Sequence, residues 1–217
     1  MLVATGLPSE TSSVGVKLPR VAIDPYKRAL DILVAGSALL FFAPVLLLVG
    51  VLIKLESRGP ILFRQARGGL HGQAFTIFKF RSMRCAENDD RVVQASRDDD
   101  RITRIGRLIR QTSVDELPQL LNVLMGDMSI VGPRPHALAH DVEYGAVIPR
   151  YSLRFRAKPG LTGLAQIKGL RGGTDDVQAM AARVEADVEY IERWKFGSDV
   201  RILLLTLPHL LLAENAY

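Results

Sequence analysis

Asp115 and Glu116 stand side by side in the run Thr112-Ser113-Val114-Asp115-Glu116-Leu117-Pro118-Gln119, with Arg110 a short way before them. Two more cations sit on stiff backbone: Arg134 between Pro133 and Pro135, and Lys158 ahead of Pro159-Gly160. The flanking prolines restrict Arg134 and lower the entropy lost when it holds an anion. Adjacent carboxylates with several guanidinium groups suit phosphoryl transfer. One carboxylate can attack phosphorus to give an acyl phosphate while the other ligates Mg²⁺. Arginines would neutralise the phosphate oxygens with forked hydrogen bonds. A plainer reading competes: Ser113 followed by Glu116 has the form of a capping box, so the pair would simply start a helix. In that first turn the dipole would favour ionised Asp115. From the pattern alone, capping is the commoner fate.

Other chemistries find little support. The 217 residues carry a net charge of +5, which suits anionic lipid, phosphorylated substrates or nucleic acid. No recognition-helix motif or stacking aromatic pair supports nucleic acid. With one cysteine, Cys85, no internal disulfide can form, as befits a reducing compartment. His71, His136, His140 and His209 lie in unrelated contexts, so each is expected to serve packing or surface roles rather than a metal.

These groups need elements to hold them. From Ile32 to Ile53 no side chain is charged, and Pro44 interrupts the run. About 22 residues would reach roughly 33 Å as a helix, enough to cross a bilayer core. Basic residues lie on both sides, Lys27 and Arg28 before, Lys54, Arg58, Arg64 and Arg67 after. A spanning helix would put one cluster on the side that Lys- and Arg-rich loops avoid. A helix that enters, bends at Pro44 and leaves by the same face avoids this, although membrane helices do tolerate proline and a spanning anchor stays a rival. Residues 1–25 read as a mobile tail without a cleaved signal peptide, 26–58 as the re-entrant helix and 59–217 as a cytosolic domain.

Within that domain, Gly59-Pro60 marks a turn, Ile61-Leu62-Phe63 a strand, and Gly68-Gly69 with His71-Gly72 a hairpin-like loop. The period of two in residues 74–81 predicts a strand delivering Lys79 and Arg81 to one face. Residues 87–100 read as a charged surface segment. Ile102, Ile105, Leu108 and Ile109 predict a helix with a basic stripe of Arg101, Arg104, Arg107 and Arg110. Arg101, Arg104 and Arg107 suit a solvated face or phosphate equally well, whereas Arg110 differs by its place just before the next element. Val177, Met180, Val184, Val188 and Ile191 mark an amphipathic helix with acidic Glu185, Asp187, Glu189 and Glu192; Ser198 is the expected cap of a last, apolar helix that is too interrupted to span.

Four motifs in order carry a family resemblance. They are Lys79-Phe80-Arg81-Ser82-Met83, the run Thr112 to Leu124, Gly126-Asp127-Met128-Ser129 through Pro133-Arg134-Pro135, and Lys158-Pro159-Gly160-Leu161-Thr162-Gly163. Together they resemble the bacterial sugar transferases, the monotopic phosphoglycosyl transferases that act on polyprenyl phosphate. The resemblance covers nearly everything from Tyr26 onward. It implies a helix-rich α/β fold: a re-entrant membrane hairpin, a small cytosolic catalytic domain with a short sheet, and interfacial amphipathic helices. It also implies transfer of a sugar-1-phosphate from a UDP-sugar to undecaprenyl phosphate, with release of UMP, at the cytoplasmic face of the bacterial inner membrane. By the same resemblance Asp115 is the nucleophile and forms a covalent phosphosugar intermediate, and Glu116 binds Mg²⁺. Arg110 contacts phosphate, and Arg134 lies near the nucleotide sugar. Lys79, Arg81 and Lys158 match basic motif positions without separate roles. The expected partners are the UDP-sugar, the polyprenyl acceptor and inner-membrane lipid, with no nucleic acid and room for a homodimer.

Two departures stand out. Ala43 precedes Pro44 where the family usually has serine, which removes a local hydrogen bond at the bend. Arg171-Gly172-Gly173-Thr174 resembles an Arg-Gly-Glu-Thr segment of hexose-1-phosphate members, and leans the donor toward UDP-glucose or UDP-galactose. Larger relatives carry extra membrane helices, so the chain reads as a compact or a trimmed member. The rival from another class is a non-enzymatic membrane adaptor with a basic lipid-binding surface, for which Asp115–Glu116 would be only a cap.

Overall fold

The computed structural model describes residues 18–84, 99–170 and 176–211, with side chains to residue 206. Cys85, the charged segment from 87 to 98, the 171–174 motif and the tail to residue 17 lie outside the described residues, as does the side chain of His209. Among the described residues the fold is a helix-rich α/β arrangement with two small sheets.

The chain enters through a single helical turn, α1 (Arg20–Ile23), whose Val21 is buried in the main core. The expected tail therefore ends before residue 25, because an apolar side chain there has a core to fill. Asp24 then caps α2 (Pro25–Glu56), accepting from the N–H groups of Tyr26 and Lys27 at 2.9 and 3.1 Å. Pro25 occupies the first turn, where its missing N–H costs nothing. This 32-residue helix, with a mean hydropathy of 2.7 in its most apolar stretch, is the one described helix long and apolar enough to cross a membrane. It is helical throughout, with Pro44 inside it rather than between two helices.

Both ends of α2 pack on the same domain. Near its start, Asp31 Oδ1 accepts from Ser129 Oγ and the Ile130 N–H at 2.9 and 2.8 Å, and Ala35 is fully buried in the main core. Near its end, Val49 and Ile53 join Phe80 and Ile109 in a separate cluster. Leu33, Leu40, Phe41, Leu47 and Leu48 remain exposed between and around these contacts. Lys27, expected as a basic flank at the lipid face, is instead 4% exposed and ion-paired with Asp199. Arg28 donates to the carbonyls of Val123 and Leu124 at 2.6 and 2.8 Å.

β1 (Leu62–Gly68) and β2 (Ala74–Phe80) form an antiparallel hairpin with Leu62 opposite Phe80 and Gly68 opposite Ala74. Its loop turns through Gly72 at φ 72°, a conformation that glycine adopts without strain. α3 (Arg104–Gln111) starts at Thr103, whose hydroxyl accepts from the Gly106 N–H at 2.9 Å. The Glu56 carboxylate, at the end of α2, accepts from the N–H groups of Arg104 and Ile105. α4 (Gln119–Met125) ends at Gly126, with φ 95°.

β3 (Ser129–Val131) pairs in parallel with β4 (Gly160–Thr162), so part of the stiff segment that follows Lys158 is a strand. A Cβ at Gly160 would collide with the backbone of Gly132, which is why the two strands can approach there. α5 (Leu138–Val147), a 3-10 segment (Tyr151–Arg156), α6 (Leu164–Ile167), α7 (Val177–Arg193) and α8 (Phe196–Leu211) complete the fold. α8 begins before Ser198, so that residue is not its cap; its hydroxyl accepts from the Lys195 N–H at 3.3 Å. Asp187 lies 1% exposed on the core side of α7, whereas Glu185 and Glu192 are exposed.

Candidate active site

The capping box does not form. Ser113 adopts φ 56° and its side chain makes no capping bond, and Val114–Glu116 is a 3-10 turn. Pro118 explains the change: lacking an N–H, it cannot bond back to residue 114, so regular helix begins only after it. The turn places Asp115 and Glu116 between α3 and α4, with β2 alongside.

The two carboxylates have different surroundings. Glu116 Oε1 accepts from Lys79 Nζ at 2.9 Å and from Arg134 Nη2 at 2.6 Å, and Oε2 accepts from Arg134 Nη1 at 3.1 Å. Burial works to raise its pKa, but Arg134 and Lys79 outweigh that and hold it well below the usual carboxylate range. Asp115 is half-buried, and among the described residues no side-chain hydrogen bond holds its carboxylate. Burial and then the Glu116 charge push its pKa up to about 6, against the pull of Lys79, Arg110 and Arg134. The helix dipole expected to favour ionised Asp115 is absent from a 3-10 turn, and desolvation decides the direction. The result is one carboxylate locked between cations and one left to react. At neutral pH Asp115 is still mostly charged.

The sequence-predicted cations separate into two groups. Lys79, from β2, and Arg134, from the loop after β3, touch Glu116; Arg110, at the end of α3, is near enough to act on Asp115 electrostatically. Arg81 goes elsewhere. It lies past the end of β2, and its guanidinium donates to the carbonyls of Arg58 and Ser57, both at 2.8 Å, and to Ser57 Oγ at 2.9 Å. The strand's alternation stops at Phe80, so Lys79 and Arg81 do not share a target. Lys158 sits with Arg28 beside Gly126, away from the carboxylate pair, and burial and then Arg28 lower its pKa. Ala43 and Pro44 lie in the middle of α2.

Among the described residues, no group of three or more His, Cys, Asp or Glu is disposed to hold a metal. The adjacent pair nonetheless fits Mg²⁺ in a limited way. Glu116 Oε2 accepts one hydrogen bond where an oxygen can take two, and Mg²⁺ is commonly held by one or two carboxylates together with substrate phosphate and water. The donor set thus fits an ion shared with substrate, not an all-protein cage.

Sequence reasoning missed the side chains behind Arg134. Arg154 donates to the Arg134 carbonyl at 2.5 Å and is itself held by Asp187, His136 and Tyr151. A signal was present: Asp187 falls at helical spacing with Met180, Val184, Val188 and Ile191, and a carboxylate on an apolar stripe requires a buried cation. Asn122 was missed too; it holds β2 in place by accepting from the Phe78 N–H at 3.0 Å and donating to the Thr76 carbonyl at 2.7 Å.

Comparison with known proteins adds a family and relatives. The model of the bacterial sugar transferase family matches residues 23–213. The chain is 58% identical over 203 residues to UDP-glucose:undecaprenyl-phosphate glucose-1-phosphate transferase of Caulobacter vibrioides, covering 94% of this chain and 76% of the relative. It is 51% identical over 181 residues to the protein of the same name in Escherichia coli, covering 83% of this chain and 39% of that relative. It is also 49% identical over 185 residues to exopolysaccharide production protein PSS of Rhizobium leguminosarum bv. phaseoli, covering 83% of this chain and 92% of the relative. The chain therefore spans about two fifths of the Escherichia coli protein.

Proposed function

Because the chain belongs to the bacterial sugar transferase family, we propose that it moves a hexose-1-phosphate, glucose-1-phosphate foremost, from a UDP-sugar to undecaprenyl phosphate. The names of its relatives from Caulobacter and Escherichia coli support the donor and the acceptor. The observation that carries the chemistry is the contrast between the two carboxylates: Glu116 is bound by Lys79 and Arg134, while Asp115 beside it is hydrogen-bonded by no side chain among the described residues.

In this reading an Asp115 oxygen attacks the β-phosphorus of the UDP-sugar. The bond from that phosphorus to the bridging oxygen breaks, and UMP leaves with the electron pair. The aspartyl phosphosugar is then attacked by a phosphate oxygen of undecaprenyl phosphate, which frees Asp115 and leaves a lipid diphosphosugar. Arg134 has guanidinium N–H groups beyond the two on Glu116, and with Lys79 and Arg110 it offsets charge that builds on the phosphate oxygens. Glu116, with Asp115 and substrate phosphate, would hold Mg²⁺, which supplies further charge neutralisation when bound.

The same proposal sets the protein on the cytoplasmic face of the inner membrane, with α2 re-entrant and bent at Pro44. The support is that α2 meets one domain at both ends, through Lys27 and Asp31 at one and Ile53 and Glu56 at the other, and bares its apolar side chains between. A helix crossing to the far side would carry one end away from that domain.

The test is to expose the full chain to UDP-glucose without acceptor. The expected result is UMP release matched to a hexose-phosphate adduct on Asp115 by mass spectrometry. A protein that turns over yet carries no adduct would remove Asp115 from its role, and one indifferent to every UDP-hexose would return the reading to an adaptor.

A further inference from the structure

We propose that Arg154, anchored by Asp187, is the positioning residue for Arg134; this rests on the phosphosugar transferase reading of the site. The loop Pro133-Arg134-Pro135 can do little to hold itself, because neither proline has an N–H to donate. Its carbonyls depend on donors from outside. The Pro133 carbonyl accepts from the Gly160 N–H at 2.8 Å, and the Arg134 carbonyl accepts from Arg154 Nη2 at 2.5 Å. Arg154 is 4% exposed, so its charge needs partners on all sides. Nε donates to Asp187 Oδ2 at 2.9 Å, and Nη1 reaches Tyr151 Oη at 3.1 Å and His136 Nδ1 at 2.8 Å.

The planar guanidinium therefore joins four groups from three parts of the chain, and a lysine could not reproduce that fork. At the far end of the relay the Arg134 side chain grips Glu116. A chain of contacts runs from α7 through Asp187, Arg154 and Arg134 to the reacting pair. Displacing the Arg134 carbonyl shifts the guanidinium that faces substrate phosphate, and a misplacement near 1 Å costs about 10²-fold in rate.

A cycle of variants in the full chain separates positioning from bulk support of the fold. UMP release from UDP-glucose and undecaprenyl phosphate is measured for wild type, Arg154→Lys, Arg134→Ala and the double variant. The expected loss in kcat/KM for Arg154→Lys is about 10- to 100-fold. The double variant should lose no more than Arg134→Ala alone, since Arg154 acts only through Arg134. Should thermal unfolding show Arg154→Lys to be unfolded, Asp187→Asn, which keeps an acceptor for Nε, takes its place in the same cycle. Losses that multiply in the double variant overturn the proposal, as does full activity in both Arg154→Lys and Asp187→Asn. No UMP from wild type with any UDP-hexose brings down the functional reading itself, and this proposal with it.

Discussion

Lys27 Nζ lies 2.7 Å from Asp199 Oδ2, joining the first turn of α2 to the first turn of α8 inside the protein. The same ammonium donates to the Val131 carbonyl at 2.9 Å and the Tyr190 hydroxyl at 3.1 Å, while the Trp194 indole and the Tyr190 hydroxyl donate to Asp199 Oδ1. Removing one partner strands the other charge in the interior. Lys27→Met should destabilise the protein by about 3–5 kcal/mol, with the double change Lys27→Met/Asp199→Asn costing less than the two single losses together. Thermal unfolding of the purified variants checks this, and additive losses would mean that the two charges do not depend on each other.

In the proposed mechanism Asp115 sets the acid limb of the rate. Its pKa near 6 belongs to a nucleophile that works only when deprotonated, so kcat/KM for the donor should fall about tenfold per pH unit below that value. Lys79 pulls the pKa down, so Lys79→Met should move the limb to higher pH. A limb that stays in place in the variant would show that another group is titrating.

Stability should run the opposite way. The folded pKa of Asp115 is above its ordinary 3.8, so folding favours the protonated form; that stabilisation is present below pH 3.8 and fades as pH rises toward 6. At pH 7 the ionised carboxylate is a net cost. Asp115→Asn should therefore abolish transfer, by about 10³-fold or more, yet raise stability by about 1–3 kcal/mol. A variant no more stable than wild type at pH 7 would contradict the desolvated setting of this carboxylate.

The membrane path proposed for α2 is open to labelling. In a Cys85→Ser background, single cysteines replacing Ile23 and Arg58, both exposed, mark its two ends. Both should be blind to a membrane-impermeant thiol reagent added from the periplasmic side and reactive in broken cells. Periplasmic labelling at one end alone would establish a spanning helix.

The proposed need for Mg²⁺ is open to a withdrawal experiment. Treatment with EDTA should stop UMP release and added Mg²⁺ should restore it, with Glu116→Gln requiring more of the ion. Turnover indifferent to EDTA would leave Glu116 only its contacts with Lys79 and Arg134.

Regular elements were readable where apolar periodicity was strong. The hairpin's second strand followed from alternation in residues 74–81 and its loop from the glycines, but only Ile61-Leu62-Phe63 was read as the first strand, which runs Leu62–Gly68. α3 and α7 followed from spacing of three and four. The start of α4 was not, because Ser113 and Glu116 have the right types for a cap while Pro118 denies the backbone bond that would make it one. Asp115 and Glu116 were legible as a pair, but their opposite pKa directions were not, since those depend on Lys79 and Arg134 arriving from distant parts of the chain. Arg81 shares a motif with Lys79 and still points elsewhere, because neighbours in sequence need not share a target once a strand ends, and Lys158 sits with Arg28 beside Gly126.

The two-ended seating of α2 bears on how the enzyme can be prepared. Cutting the chain after Arg58 to obtain a detergent-free catalytic fragment would strip Ala35 and Ile53 from two hydrophobic clusters, and with them the ligands of Asp199 and the Ile130 amide. What looks like a removable tether is structural mass of the catalyst, so a water-soluble form has to be sought by repainting the helix's greasy outer side, at Leu33, Leu40 and Leu47, and leaving its backbone in place.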